Sequence, residues 1–356
     1  MDEKEKTGLM KTLGVSLIVR NESEMIRTCL DSVKEADEIV IVDTGSEDNT
    51  VEICKEYTSK VYTYTGCNDE EGRLADFSDA RNHSLNRCTT DYVLIIDADE
   101  KLMDSIKGIK HVLNSGKMGE RTKDGQLKYL GMSMIVETKT EKLNSLRIFR
   151  NDPKIRYKYA FHNQIAYSGN VEIMRWKTYE SKFKIESGYS PAHLKDPDRT
   201  LRMIEHHLKK EPDSARSLYY IGREYLSRHI RTGLTEEGLV WLDKTIETME
   251  HMDSVAFFEP WTNEYADALF ILSNCYIQKM VVTKDEKYWY YTVACASKCV
   301  LILPTAKAPM KLLAQLMVKT PAGVPHRHGI KFWAESAKNA TNEDVAFLRD
   351  VQNIYK

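Results

Sequence analysis

The sharpest candidate for chemistry is the run VLIIDADEKL, in which a wholly apolar stretch ends in Asp97-x-Asp99. Two carboxylates exposed at a strand end are hard oxygen ligands suited to Mg²⁺ or Mn²⁺, which in turn can bind a diphosphate and neutralise a departing one. A lone pair of this kind also arises in solvated loops and at helix caps. Its neighbours sharpen the reading, because two other apolar runs end the same way: LGVSLIV leads into Arg20-Asn21-Glu22, and EIVIV leads into Asp43-Thr44-Gly45-Ser46. Three polar edges that converge make one site.

Convergence requires the runs to be parallel strands. The stretches 13–19, 38–42 and 91–96 are nearly all apolar, as strands covered by helices on both faces must be. Between them, SEMIRTCLDSVKEA and DNTVEICKEY are amphipathic segments of helix length, so the chain reads as repeated βα. Ligands of such sheets gather at the carboxyl ends of the strands, where all three polar sets lie. From 126 to 186 the text changes to runs such as LKYLGMSMIVET, SLRIFRN and NQIAYSG, which predict a mixed-sheet addition completing the first domain. After Pro197 helix dominates, with RTLRMIEHHLKKE, SARSLYYIGREYLSRHI, TEEGLVWLDKTIETME, EYADALFILSNCYIQKM and KYWYYTVACASKCVLIL in succession. Leu218, Ile221, Gly222 and Tyr225, echoed by Leu272, Ser273 and Tyr276, resemble the first helix of a tetratricopeptide (TPR) repeat; a plain helical bundle is the other reading. The expected fold class is α/β: a Rossmann-like mixed-sheet domain over 12–195, preceded by a charged tail over 1–11 and followed by an all-α TPR-like domain over 196–356.

Composition bounds the partners. The 51 basic and 53 acidic side chains leave a net charge of -2, so no global field favours a polyanion, and a nucleic-acid partner is unsupported though not ruled out. Seven cysteines at irregular spacing make no disulfide framework and no zinc motif, which fits a reducing cytoplasm. The start of the chain is charged and no stretch reaches the ~18 apolar residues of a membrane span, so a soluble protein is expected.

Four segments in order, GVSLIVRNESEMIRTCLDSV, EIVIVDTGSEDNTVEI, DFSDARNHSL and YVLIIDADE, resemble the successive motifs of family 2 glycosyltransferases with a GT-A fold. The later run RIFRNDPKIRYKYAFHNQI, followed by SGYSP, is similar to the bacterial branch that includes the bacteriocin S-glycosyltransferases and some lipopolysaccharide core transferases. The resemblance implies metal-dependent transfer of one sugar, with inversion, from a UDP-sugar to a peptide, protein or glycan. Carried onto this sequence, it assigns Val19, Arg20, Asn21 and Glu22 to the nucleotide pocket, Asp43 to the base edge, Arg81 to phosphate and Asp76 to the ribose or base. It makes Asp99 the metal ligand and puts Asp97 nearer the ribose. It also brings His162 in YAFHNQ to the metal, with Asn163 where relatives carry glutamate, and makes Glu186 an alternative ligand where relatives carry histidine. The bland readings are helix capping for Glu22, turn shaping for Asp43, an exposed ion pair for Arg81, a packed core residue for His162 and a surface residue for Glu186.

Inverting transfer needs a base to take the acceptor proton. The family's usual Glu-Asp pair is not recognisable, and Glu137 at the end of GMSMIVE is the candidate, an exposed strand-end glutamate being the alternative. The QxxRW signature of processive synthases is absent, so one sugar per acceptor is expected. The helical half is expected to recognise the acceptor and offers a surface for a homodimer. Three further readings are a DNA- or lipopolysaccharide-modifying transferase, a nucleotidyltransferase, and a non-catalytic TPR-type adaptor with a degenerate transferase domain. VRNESE lacks the Gly-rich, lysine-bearing loop of the second, and retention of both aspartates speaks against the third.

Overall fold

The computed structural model describes residues 10–188, 196, 198–255 and 262–318. Most of the charged tail, the Tyr189-Ser190-Pro191 part of SGYSP, Pro197 and the part of the expected helical domain beyond 318 lie outside the described residues. The chain divides into two compact units, Met1–His206 and His207–Lys356.

The first unit is built on one eight-stranded sheet of order β3-β2-β1-β4-β7-β6-β10-β5. Its left half comprises β1 (Leu13–Val19), β2 (Glu38–Asp43), β3 (Val61–Thr63) and β4 (Tyr92–Ile95), all parallel, as the apolar runs predict. Every residue of β2 and β4 is buried, and β1 departs from that only at Ile18. Two helices complete these crossovers: α1 (Ile26–Val33) and α2 (Thr50–Tyr57). α1 buries Ile26, Cys29, Leu30 and Val33, the i, i+3, i+4, i+7 stripe of a helix lying on a sheet. Each such side chain contributes about 1.5–3 kcal/mol when fully buried.

The chain moves from β1 outward to β2 and β3, then returns to place β4 on the other flank of β1. That reversal opens a crevice between β1 and β4 at their carboxyl ends, the place where open α/β sheets bind ligands. α3 (Phe77–Leu85) feeds β4, and Asp76 caps it by accepting the Asp79 amide at 2.9 Å.

The right half is mixed. β5 (Glu100–Leu102) and α4 (Ile106–Asn114) follow β4, and β6 (Gly131–Glu137) and β7 (Lys142–Arg150) form a hairpin whose second strand runs antiparallel to β4. A separate two-stranded sheet, β8 (Ile155–Lys158) with β9 (Gln164–Tyr167), leads through the short α5 (Val171–Trp176) to β10 (Thr178–Ser187). β10 pairs parallel with β6 and antiparallel with β5. This is the expected mixed-sheet addition. α6 (Arg199–Lys210) carries the chain across the division between the units.

The second unit is helical, as expected. α7 (Ala215–Thr232) packs on α8 (Glu236–Val255), and α9 (Thr262–Thr283) on α10 (Lys287–Ile302), with α11 (Lys307–Val318) after them. The TPR-like positions Leu218, Ile221, Gly222, Leu272, Ser273 and Tyr276 are all buried. A Cβ on Gly222 would lie 2.5 Å from the Cε at the end of the flexible Met249 side chain of α8, so a larger residue there would require that side chain to move.

Candidate active site

A cavity of about 560 Å³ opens at the carboxyl ends of β1, β2 and β4. Val19, Arg20, Asn21, Glu22, Arg81, Asp97 and Asp99 line it, so seven of the residues singled out by sequence share one concave surface. Parallel pairing produces the convergence: Val19 stands opposite Asp43 in β2, and Ser16 opposite Ile95 in β4, so the three strands end on one side of the sheet.

The wall after β1 is held by its own polar groups. Arg20 Nη1 donates to the carbonyls of Thr44 at 2.9 Å and Gly72 at 2.7 Å, tying two loops to the cavity rim. Asn21 adopts φ 54°, a left-handed conformation that asparagine tolerates, and its side-chain oxygen accepts the Glu47 amide at 2.7 Å. Glu22 is buried, and its carbonyl accepts the amides of Met25 and Ile26 where α1 begins.

Asp43 is placed differently from the expected base reader. It is 3% exposed and is not among the lining residues; its carboxylate accepts the amides of Gly45 at 3.1 Å and Ser46 at 3.0 Å and so shapes the turn. Its neighbour Asp48, which sequence reading passed over, does line the cavity. Burial acts to raise its pKa, but hydrogen bonds from Thr50 and Ser23 outweigh it and hold the carboxyl below the usual range. Asp76 likewise serves as the α3 cap and lies outside the cavity lining.

On the opposite wall Arg81 and Asp97 form one structure. Arg81 Nη2 donates to Asp97 Oδ1 at 2.7 Å, and the guanidinium lies 5.2 Å from the Tyr157 ring centre and 6.0 Å from that of Phe77. Behind Asp97 is a pair that sequence reading missed. Glu100, 4% exposed, receives Arg147 bidentately at 2.6 and 3.0 Å, and its Oε2 also accepts the Asp97 amide at 2.9 Å. Arg147 Nη1 is 3.9 Å from Asp97 as well. Burial and the negative charge of Asp97 push the Glu100 carboxyl up to about 7, against the pull of Arg147. The available signal was an arginine inside the otherwise apolar alternation of SLRIFRN.

Asp99 lines the cavity half-exposed, and its carbonyl accepts the Gly188 amide at 2.8 Å. Asp97 is engaged by Arg81, and an aspartate such as Asp99 has the hard oxygen chemistry that Mn²⁺ or Mg²⁺ favours. The structure does not bring the proposed partners to it. His162 is exposed with φ 42° beside Phe161, Glu186 is exposed on β10 between Glu137 and Lys101, and neither lines the cavity. Among the described residues no three His, Cys, Asp or Glu side chains form a metal-binding group.

A second cavity, about 590 Å³, adjoins the first through Arg81 and Asp97 and is also lined by Ser133, Arg147, Tyr157, Asn163 and Glu180. Glu137 is in neither lining. Lys142 and Lys184 each lie 3.0 Å from its carboxylate, and hydrogen bonding from Lys184 and Lys142 holds its pKa below the usual range. A carboxylate held this way is a poor proton acceptor.

The family model described as Glycosyl transferase family 2 matches residues 15–111, the segment that runs from β1 into α4 and holds Arg20, Arg81, Asp97 and Asp99 of the first cavity. The match to this family covers that segment, under a third of the chain. The chain is 26% identical over 283 residues to the SPbeta prophage-derived glycosyltransferase SunS of Bacillus subtilis, covering 75% of this chain and 59% of that protein. It is 32% identical over 164 residues to a TPR repeat-containing protein of Synechococcus elongatus, covering 44% of this chain and 36% of the other. The chain therefore spans between about a third and three-fifths of the length of these relatives. Among solved structures it is similar to S. aureus TarS 1-349 in complex with UDP-GlcNAc, with 13% identity, TM-score 0.40, and 97% of this chain and 91% of the other covered. Glucosyl-3-phosphoglycerate synthase from Mycobacterium tuberculosis, in complex with Mn²⁺ and UDP-glucose, follows at 14% identity and TM-score 0.37, covering 56% of this chain and 79% of that one. No helix among the described residues is long and apolar enough to cross a membrane.

Proposed function

We propose that this chain transfers one sugar, with inversion, from a UDP-sugar to a hydroxyl- or thiol-bearing peptide, protein or glycan. The observation that carries the reading is the pair of adjoining cavities that share Arg81 and Asp97. The first, beneath the ends of β1 and β4, suits the nucleotide diphosphate; the second suits the acceptor, so the anomeric carbon would lie near their common wall.

The roles follow from that arrangement. Asp99 would hold Mn²⁺ or Mg²⁺, with water and donor oxygens completing the shell; when bound, the cation neutralises charge on the departing diphosphate. Arg81, clamped by Asp97 between Phe77 and Tyr157, is a pre-oriented cation that needs no reorganisation as charge develops. Glu100 and Arg147 hold the Asp97 backbone and act as positioning residues. The acceptor's proton is assigned to Glu180, a solvent-exposed carboxylate lining the second cavity, in preference to the lysine-bound Glu137.

The test is thermal unfolding with UDP, with and without Mn²⁺, on the parent and Asp99→Ala. A ligand at a hundred times its Kd stabilises the native state by about 2.7 kcal/mol. The parent should gain that shift with UDP and Mn²⁺ together, and Asp99→Ala should lose the Mn²⁺-dependent part. No shift with any nucleotide overturns the donor reading. A shift in the parent with no sugar released from any UDP-sugar in a donor screen would favour the adaptor.

A further inference from the structure

Five arginines line the first cavity, namely Arg20, Arg73, Arg81, Arg199 and Arg202. Four are answered by oxygen. Arg20 donates to two carbonyls, Arg73 meets Asp69 and Glu71, Arg81 meets Asp97, and Arg202 meets Asp69 and Asp196. Arg199, on the first turn of α6, has no carboxylate or carbonyl partner among the described residues; its guanidinium lies 5.7 Å from the centre of the Phe77 ring.

Phe77 thus carries two guanidinium groups, with Arg81 6.0 Å from the same ring. Arg81 is neutralised by Asp97 and Arg199 is not. Packing against a ring leaves the N–H edges of a guanidinium available, and that planar fork matches two phosphate oxygens. A half-buried cation with free donors, in a cavity already assigned to a diphosphate, is a positioned anion receptor.

We propose that Arg199 anchors the diphosphate of the donor, so that a helix outside the family-matched segment 15–111 supplies part of the nucleotide-sugar site. The inference rests on the donor assignment above and adds to it one residue and the ligand group it recognises.

Uridine and UDP distinguish the two, since only UDP carries the group in question. Binding of each to the full chain in the presence of Mn²⁺ would be measured calorimetrically for the parent, Arg199→Met and Arg199→Lys. Losing a charge-assisted, bidentate contact should weaken UDP at least tenfold in Arg199→Met and leave uridine unchanged, with Arg199→Lys in between because an ammonium lacks the fork. If Arg199→Met does not fold, Arg199→Gln takes its place with the same expectation. UDP affinity within twofold of the parent in either folded neutral variant overturns the proposal, as does an equal loss of UDP and uridine, which would mean that Arg199 only shapes the pocket. If the parent itself binds neither ligand, the donor assignment fails and Arg199 with it; UDP binding that ignores Arg199 removes Arg199 alone.

Discussion

Replacing Arg147 by Met should make the sheet domain far easier to unfold. The Arg147 side chain is 12% exposed and that of its partner Glu100 4%, and the two are joined by contacts of 2.6 and 3.0 Å. Removing the cation leaves the Glu100 carboxylate buried, with the Asp97 amide still donating to it. Breaking a buried pair from one side costs about 3–5 kcal/mol, chiefly because the remaining charge is uncompensated. Since the chain holds two compact units, a whole-chain melt need not be two-state, and amide hydrogen exchange reads the sheet unit by itself. Protection of the β4 and β7 amides, Leu94 and Ile148 among them, should fall by roughly two to nearly four decades at about 1.4 kcal/mol per decade, while the amides of α7 and α8 keep theirs. The double variant Arg147→Met/Glu100→Gln removes both charges and keeps an oxygen for the Asp97 amide, so it should recover at least half of the loss. Unchanged β4 protection in the single variant, or strictly additive effects in the double, would refute the view that the pair is an energetic unit.

Two further outcomes follow from single positions. A Cβ on Gly188 would lie 2.4 Å from the backbone oxygen of Asp99, so Gly188→Ala must push the end of β10 away from the aspartate loop; UDP binding with Mn²⁺ should weaken severalfold, and calorimetric affinity equal to the parent's would show that the loop tolerates the shift. Glu38 is buried, and burial alone would raise its pKa, but Lys60 and the amide and hydroxyl of Thr89, at 2.7 and 2.9 Å, bring it below the ordinary value of 4.5. A depressed folded-state pKa contributes stability that is complete above the unfolded value and is lost as pH falls through the folded one. The difference in urea midpoint between parent and Glu38→Gln should therefore be constant above pH 5 and shrink below about 4.5, and a pH-independent difference would remove the carboxylate's charge from the account.

The location of the site was legible because strand burial writes itself into sequence. β1, β2 and β4 are covered on both faces, so they read as apolar runs, and parallel pairing sends their polar ends to one edge. What each end does was less legible. Asp43 ends β2 as expected, yet a carboxylate followed by Thr44-Gly45-Ser46 can either reach a ligand or bend back onto two amides, and Gly45 at φ 105° lets it do the second. The lysine pairing of Glu137 was legible in part. The turn in ETKTEK puts Glu137 directly across the hairpin from Lys142, whereas Lys184 arrives from β10 through a pairing that no local pattern announces.

Charges that match over long separations were the least visible. Glu100 follows the aspartate pair directly and Arg147 lies 47 positions away, and only the antiparallel seating of β7 beside β4 brings them together. The arginines of α6 make the same point within one helix. Arg199 and Arg202 sit at i and i+3, a spacing that on sequence alone describes a solvated helix face. Tertiary structure separates them: Arg202 is met by Asp69 and Asp196, whereas the Arg199 guanidinium is held against Phe77 at the cavity with no ion pair among the described residues. The lining as a whole carries seven carboxylates against five guanidinium groups, so a nucleoside diphosphate proposed for this cavity would need its counter-cation with it, and Arg199 is the guanidinium left to meet the anion directly.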